Sequence, residues 1–227
     1  MKIYFAASCA YEVRMLSSGG VKNVLISYWL WKNCTQRSLD SLKKMNVMVD
    51  SGAYSAYNSG TEINLNKYCN FINKIRKQLN IACYVSLDVI GDHKATSNNL
   101  KKMESTSYNP MPVFHRGSSF KILEGLVKDY EVVGIGGMVG NRNKQFWRWL
   151  NELFTRFPNH NFHGFGMTSE RGLRYPWHSV DSSSWYTNYS DRKEGETNKE
   201  SIKRRISKYL ALEDKYRNVN QFQEVII

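Results

Sequence analysis

Short apolar runs alternate with amphipathic helical patterns along almost the whole chain, and few folds accommodate that alternation. Strand candidates lie at residues 2–6, 23–28, 46–50, 82–88, 111–115, 131–136, 161–166 and 178–181. Between them, Leu65, Tyr68, Ile72, Ile75 and Leu79 recur three and four residues apart, the spacing of one buried helix face. Phe146, Leu150, Leu153 and Phe157 mark a second helix and Phe120, Leu123 and Val127 a shorter one, with weaker helical patterns at 38–44 and 95–107. Strands separated by helices pair in parallel. Eight such units in 227 residues predict an α/β fold, a single compact (β/α)8 TIM-type barrel spanning residues 1–227. A doubly wound open sheet is the structural alternative. The polar, aperiodic stretch at 182–199 reads as a loop. After it, Thr197 and Glu200 spell a capping box for a last helix at about 198–217, with Ile202, Ile206, Tyr209 and Leu210 inward.

Barrels of this type carry their chemistry at the carboxyl ends of the strands, and polar residues collect there in this sequence. In Val47-Met48-Val49-Asp50-Ser51-Gly52-Ala53-Tyr54 a Val-rich strand is stopped by a Ser-Gly step, leaving Asp50 at its end and Tyr54 in the loop. Asp88, His115 and Asp181 end three further strands, and Gly134-Ile135-Gly136-Gly137-Met138 and His163 complete the expected rim. One such carboxylate could simply cap a loop by accepting backbone N–H groups. Three on one mouth exceed what capping requires, because an isolated buried charge is expensive.

The partner is suggested by charge. Lys and Arg number 32 against 20 Asp and Glu, a net +12 that favours a polyanion, nucleic acid before membrane. The basic residues concentrate after the sixth and eighth strands and on the last helix, so Arg142, Lys144, Arg148, Arg192, Lys193, Lys203, Arg204 and Arg205 are the expected nucleic-acid contacts. Cys9, Cys34, Cys69 and Cys83 form no C-x-x-C pair, and His160-x-x-His163 has no third ligand at useful spacing, so no metal is expected. Gly134-x-Gly136-Gly137 continues to Val139 instead of the third glycine of a dinucleotide fingerprint, so no cofactor is expected either. The start is too short for a signal-peptide core and no long apolar run follows, which reads as a soluble protein of the cytoplasm.

Taken together, these segments resemble the tRNA-guanine transglycosylase (queuine tRNA-ribosyltransferase) superfamily. "VDSGAYS" is similar to that family's D-S-G-G-[FY]-Q, "VGIGGMVG" to its G-I-G-G-L-x-V-G, and "HGFGMTS" to its M-G-V-G segment. Asp181 in "VDSSSW" stands where the family carries its nucleophilic Asp. The likeness covers roughly residues 46–185, in the family's order. Departures exist: the family's zinc site of three Cys and a His is missing, "PVFHRG" puts His115 or Arg116 where the family has a base-reading Gln, and Ala53 replaces a Gly. The short chain looks more like the small, phage-type DNA-guanine transglycosylases, which would place it in the cytoplasm of a bacterial host. The resemblance implies DNA as substrate, with tRNA as the alternative, and a free 7-deazaguanine base such as preQ0 or preQ1 as the incoming group.

That chemistry suits the residues. Base exchange at C1′ with retention needs a carboxylate nucleophile and a second group to shuttle protons. Asp181 is expected to attack C1′ and Asp50 to move the proton. Asp88 would accept from guanine N1–H and the 2-amino group, and Tyr54 would stack on the base. Ser51, His115, His163 and the backbone N–H groups of Gly137 and Met138 are the remaining expected substrate contacts. Two other classes stay open: a non-catalytic nucleic-acid-binding barrel, which three carboxylates would handicap by repelling phosphate, and a glycosidase that uses water as acceptor.

Overall fold

The computed structural model describes residues 1–106, 108–140 and 142–217. Contacts fall into two compact units: an N-terminal unit, Phe5–Val113, and a C-terminal unit, Met1–Tyr4 with Phe114–Ile227. Strand β1 (Lys2–Ala6) begins in the latter and ends in the former.

In the N-terminal unit β1 is followed by α1 (Ala10–Ser18), β2 (Asn23–Ser27), α2 (Tyr28–Trp31), α3 (Gln36–Asp40), β3 (Asn46–Asp50), α4 (Ala53–Asn58), α5 (Leu65–Ile75), β4 (Asn80–Tyr84) and α6 (His93–Ser105). Its strands pair in parallel in the order β1-β2-β3-β4. Val24, Leu25 and Ile26, like Val47, Met48 and Val49, are buried without interruption, as expected of parallel strands covered on both faces. Register is fixed at both ends. At the amino ends Asn23, Asn46 and Asn80 lie side by side, Asn46 Nδ2 donating to Asn23 Oδ1 (3.0 Å) and Asn80 Nδ2 to Asn46 Oδ1 (2.7 Å). At the carboxyl ends the hydroxyl of Tyr68, fully buried on α5, donates to Val49 O (3.1 Å) and Val85 O (2.8 Å). Asn64 starts α5 by accepting the Lys67 N–H.

The C-terminal unit continues with β5 (Val113–His115), α7 (Phe120–Asp129), β6 (Val132–Gly136), α8 (Lys144–Arg156), β7 (Asn161–Gly164), β8 (Ser179–Ser182), α9 (Ser184–Thr187) and α10 (Asn198–Lys215). Here the strand order is β1-β8-β7-β6-β5. Its core is aromatic: Phe154 meets Phe162, Tyr175 and Trp177 edge-on or stacked at centroid distances of 4.9–5.7 Å. A Cβ on Gly164 would stand 3.0 Å from the Trp177 ring, so any larger residue would have to push that ring aside.

Strand order decides between the two folds that the alternation permits. A doubly wound sheet reverses its order at a switch point. Here sequence neighbours lie side by side, except that β4 and β5 stand at the two ends of the sheet order, and the last strand, β8, lies beside the first, with Lys2 N–H donating to His178 O at 3.0 Å. Met111, just ahead of β5, pairs with Tyr84, Val85 and Ser86 at and just past the end of β4. The fold is the (β/α)8 type, with eight parallel strands.

Local expectations are corrected in several places. Three helices, α1, α2 and α4, form where the sequence showed no clear periodicity, and 182–199 holds α9 and a 3-10 turn at Tyr189–Asp191. Strand β4 ends at Tyr84, not at Asp88, and residue 82 is an extra one: Val47 faces Ile81 while Met48 faces Cys83. The capping box of α10 is present, but Arg205 is not on its basic face. It is 2% exposed beside Ile202 and Ile206.

Candidate active site

Each unit carries a strand-end carboxylate held by a glycine. In the N-terminal unit Asp50 ends β3, half-buried, and its Oδ2 accepts the Gly52 N–H at 2.8 Å. Gly52 has a left-handed backbone (φ 78°), and a Cβ there would lie 2.6 Å from Trp29 Cβ, so only glycine fits. Ser51, wholly buried, accepts the Ala53 N–H (3.2 Å) and donates to Asp88 Oδ1 (3.4 Å), which joins the Asp50 loop to the segment after β4. Asn99 supports that segment by donating to Leu87 O (3.1 Å). Behind both acids lies the Tyr68 phenol. Burial pushes its pKa well above the usual range, and the negative charges of Asp50 and Asp88 add to the shift. Tyr54 stands on the first turn of α4 and not in a loop, with 52% of its surface exposed, so its ring is open to a stacking partner.

In the C-terminal unit Asp181 lies in β8 with 12% of its side chain exposed. Its Oδ1 accepts the N–H of Gly166 (3.0 Å; φ 66°) and lies 3.3 Å from His163 Nε2. No described residue bonds Oδ2. The β7–β8 register sets His163 opposite Ser179, two residues before Asp181 and therefore on the same face of the sheet. The Ser179 hydroxyl is 2.8 Å from His163 Nδ1, while the buried His163 Nε2, 3.3 Å from Asp181 Oδ1, makes no hydrogen bond. Tyr4 and Phe165 wall the imidazole edge-on. Arg142 donates from Nη2 to Gly166 O (2.8 Å), so the Gly166 residue is gripped at both its amide and its carbonyl.

The remaining expected residues divide. His115 is half-buried at the end of β5. Gly137 is exposed with φ 71°, its Cα close enough to Arg116 that a Cβ would touch it at 3.3 Å, while the Met138 side chain is in the core. His163 was expected at the substrate; it is 0% exposed and lies 3.3 Å from Asp181. Arg205 is corrected likewise: Nε donates to Trp185 O, and Nη1 to Asn188 O and Asp191 Oδ1. Arg204 is held by both oxygens of Glu196 at 2.8 and 2.9 Å. Lys144, Arg148, Arg192, Lys193 and Lys203 remain exposed. Sequence reading missed Tyr68, Ser179 and Gly166. Only Gly166 left a signal, as the second glycine of "HGFG". Among the described residues no three His, Cys, Asp or Glu gather as metal ligands. Nor is any described helix long and apolar enough to cross a membrane.

No protein-family model matches the sequence, and no curated protein does. Solved structures do. The chain is similar to a 4-hydroxy-2-oxoglutarate aldolase/2-deydro-3-deoxyphosphogluconate aldolase, with TM-score 0.53, 13% identity and 92% of each chain covered. It is also similar to the carboxyl transferase domain of Rhizobium etli pyruvate carboxylase, with TM-score 0.52 and 12% identity over 97% of this chain and 48% of that one. At these identities the likeness is one of fold, in agreement with the strand order.

Proposed function

We propose that the chain is a base-exchange transglycosylase that replaces guanine in DNA with a 7-deazaguanine. The observation that carries this reading is the matched pair of acids. Asp50 and Asp181 end strands of a fold that does its chemistry at strand ends, and each accepts the N–H of a left-handed glycine. Such a bond orients a carboxylate while leaving it able to react.

In this reading Asp181 Oδ2 attacks C1′ of the deoxyribose. The C1′–N9 bond breaks, its electron pair goes to guanine, and Asp50 gives the departing base a proton. The incoming 7-deazaguanine loses its N9 proton to Asp50, its N9 attacks C1′, and the ester to Asp181 is released with retained configuration. The Gly166 N–H holds the nucleophile, and Asp88, steadied by Ser51, accepts from the guanine N1–H and 2-amino group. Duplex DNA would have to flip the base out, at a cost of a few kcal/mol.

The test is incorporation. Purified protein incubated with labelled preQ0 or preQ1 and DNA should put label into DNA and release guanine in equal amount. Asp88→Asn should weaken guanine selection by about 1–3 kcal/mol, since a donor then faces donors. Label in tRNA alone would reassign the substrate, and guanine release without incorporation would make the protein a glycosidase.

A further inference from the structure

A cleft of about 620 Å³ opens in the N-terminal unit between the α2 end of β2 and the face of α5, and none of its residues is among the acids or the expected nucleic-acid contacts named above. One wall is Trp29, Lys32 and Asn33; the other is Lys67, Asn70 and Lys74. The α5 residues are three and four positions apart, so they share one helix face, and Lys67 and Lys74 stand about 10 Å apart along it. Neither lysine is ion-paired with a described carboxylate, and Glu62 is the only acid in the lining. Lys32 Nζ sits 3.5 Å from the Trp29 ring centre, over its face. The cleft also borders the Asp50 loop, because Trp29 N–H donates to Ser51 O at 3.2 Å.

We infer that this cleft binds the phosphate backbone of a single nucleic-acid strand. Three ammonium groups and three amides against one carboxylate favour an anion. Lys67 and Lys74, about two turns apart on one face of α5, suit a row of phosphates. Trp29 ties the cleft to the loop that carries Asp50, so a strand lying in it passes the base-handling acids. The inference extends the exchange reading to a new site but is tested by binding alone, so either can fail without the other.

The experiment is fluorescence anisotropy of a labelled single-stranded oligonucleotide over a range of salt. Lys67→Glu/Lys74→Glu should bind at least tenfold more weakly than wild type. Its log–log salt dependence should be shallower by about 1.4, at about 0.7 per phosphate contact on a single strand. Lys121→Glu/Lys128→Glu carries the same charge change at the same spacing on α7 and should change affinity less than twofold. The milder Lys67→Gln/Lys74→Gln serves if the reversal perturbs folding, judged by circular dichroism. Unchanged binding in the cleft variants overturns the inference. So does an equal loss in both charge-reversed pairs, or competition by inorganic phosphate or a mononucleotide at the oligonucleotide's own concentration.

Discussion

Tyr68 shows how one hydroxyl can hold a site that it does not enter. Its OH spans Val49 O and Val85 O, one residue before Asp50 and one before the segment that leads to Asp88. Tyr68→Phe keeps the ring and takes the phenol donor from Val85 O, while Val49 O keeps the Val85 N–H at 2.8 Å, so unfolding by urea should show a loss of about 1–3 kcal/mol. A variant as stable as wild type would mean that water replaces the hydroxyl. Burial also grades the cysteines. Cys83 has its thiol pushed up to about 12 by desolvation, whereas Cys9 is exposed. The Cys83 thiol stays protonated where an exposed one begins to ionise. Iodoacetamide followed by mass spectrometry should therefore label Cys9 first and Cys83 last.

At the scale of elements, α10 is the clearest case of sequence written into structure. Thr197 and Glu200 form the capping box that their spacing announces. Thr197→Ala should cost about 1 kcal/mol of stability, read from the urea midpoint. The loop before it is held by charge: the hydrogen bond from Arg204 holds the Glu196 carboxyl down to about 2, against an ordinary 4.5. A carboxyl depressed in the folded state stabilises fully above its unfolded value and loses that contribution as pH falls through its folded one. The stability difference between wild type and Arg204→Gln should be constant above pH 4.5 and vanish toward pH 2. A difference that persists at pH 2 would mean that Arg204 acts through the Asp191 carbonyl alone. The long helices α5, α7 and α8 were legible because each repeats its apolar residues over at least two turns. Helices α2 and α4 have four and six residues, too short for a period to show, and α4 is set by Gly52 rather than by any pattern. Arg205 was misread because Lys203-Arg204-Arg205 looks like one basic face. Yet Arg205 is three residues after Ile202 and next to Ile206, which places it inward. Asp50 and Asp181 were legible from the strands that carry them, whereas Asp88 lies four residues past the end of β4. The supports of these acids were not legible, since the Tyr68 and Ser179 hydroxyls and the His163 ring are drawn in by register and burial that no single stretch of sequence records.

For the whole molecule, the sequential strand order with β8 beside β1 fixes the fold, and the fold likeness to an aldolase and a carboxyl transferase domain leaves the chemistry to the acids. The net charge of +12 agrees with a polyanionic substrate. If Asp181 is the nucleophile and Asp50 the proton shuttle, their variants fail differently. Asp50→Asn should still bind DNA while exchange falls about 10²–10⁴-fold. The most direct measurement is therefore denaturing electrophoresis of protein incubated with labelled guanine-containing DNA and no incoming base. The account predicts a covalent protein–DNA adduct in wild type that is absent in Asp181→Asn, with the modified peptide containing Asp181. An adduct that forms normally in Asp181→Asn and disappears in Asp50→Asn would contradict it and make Asp50 the nucleophile.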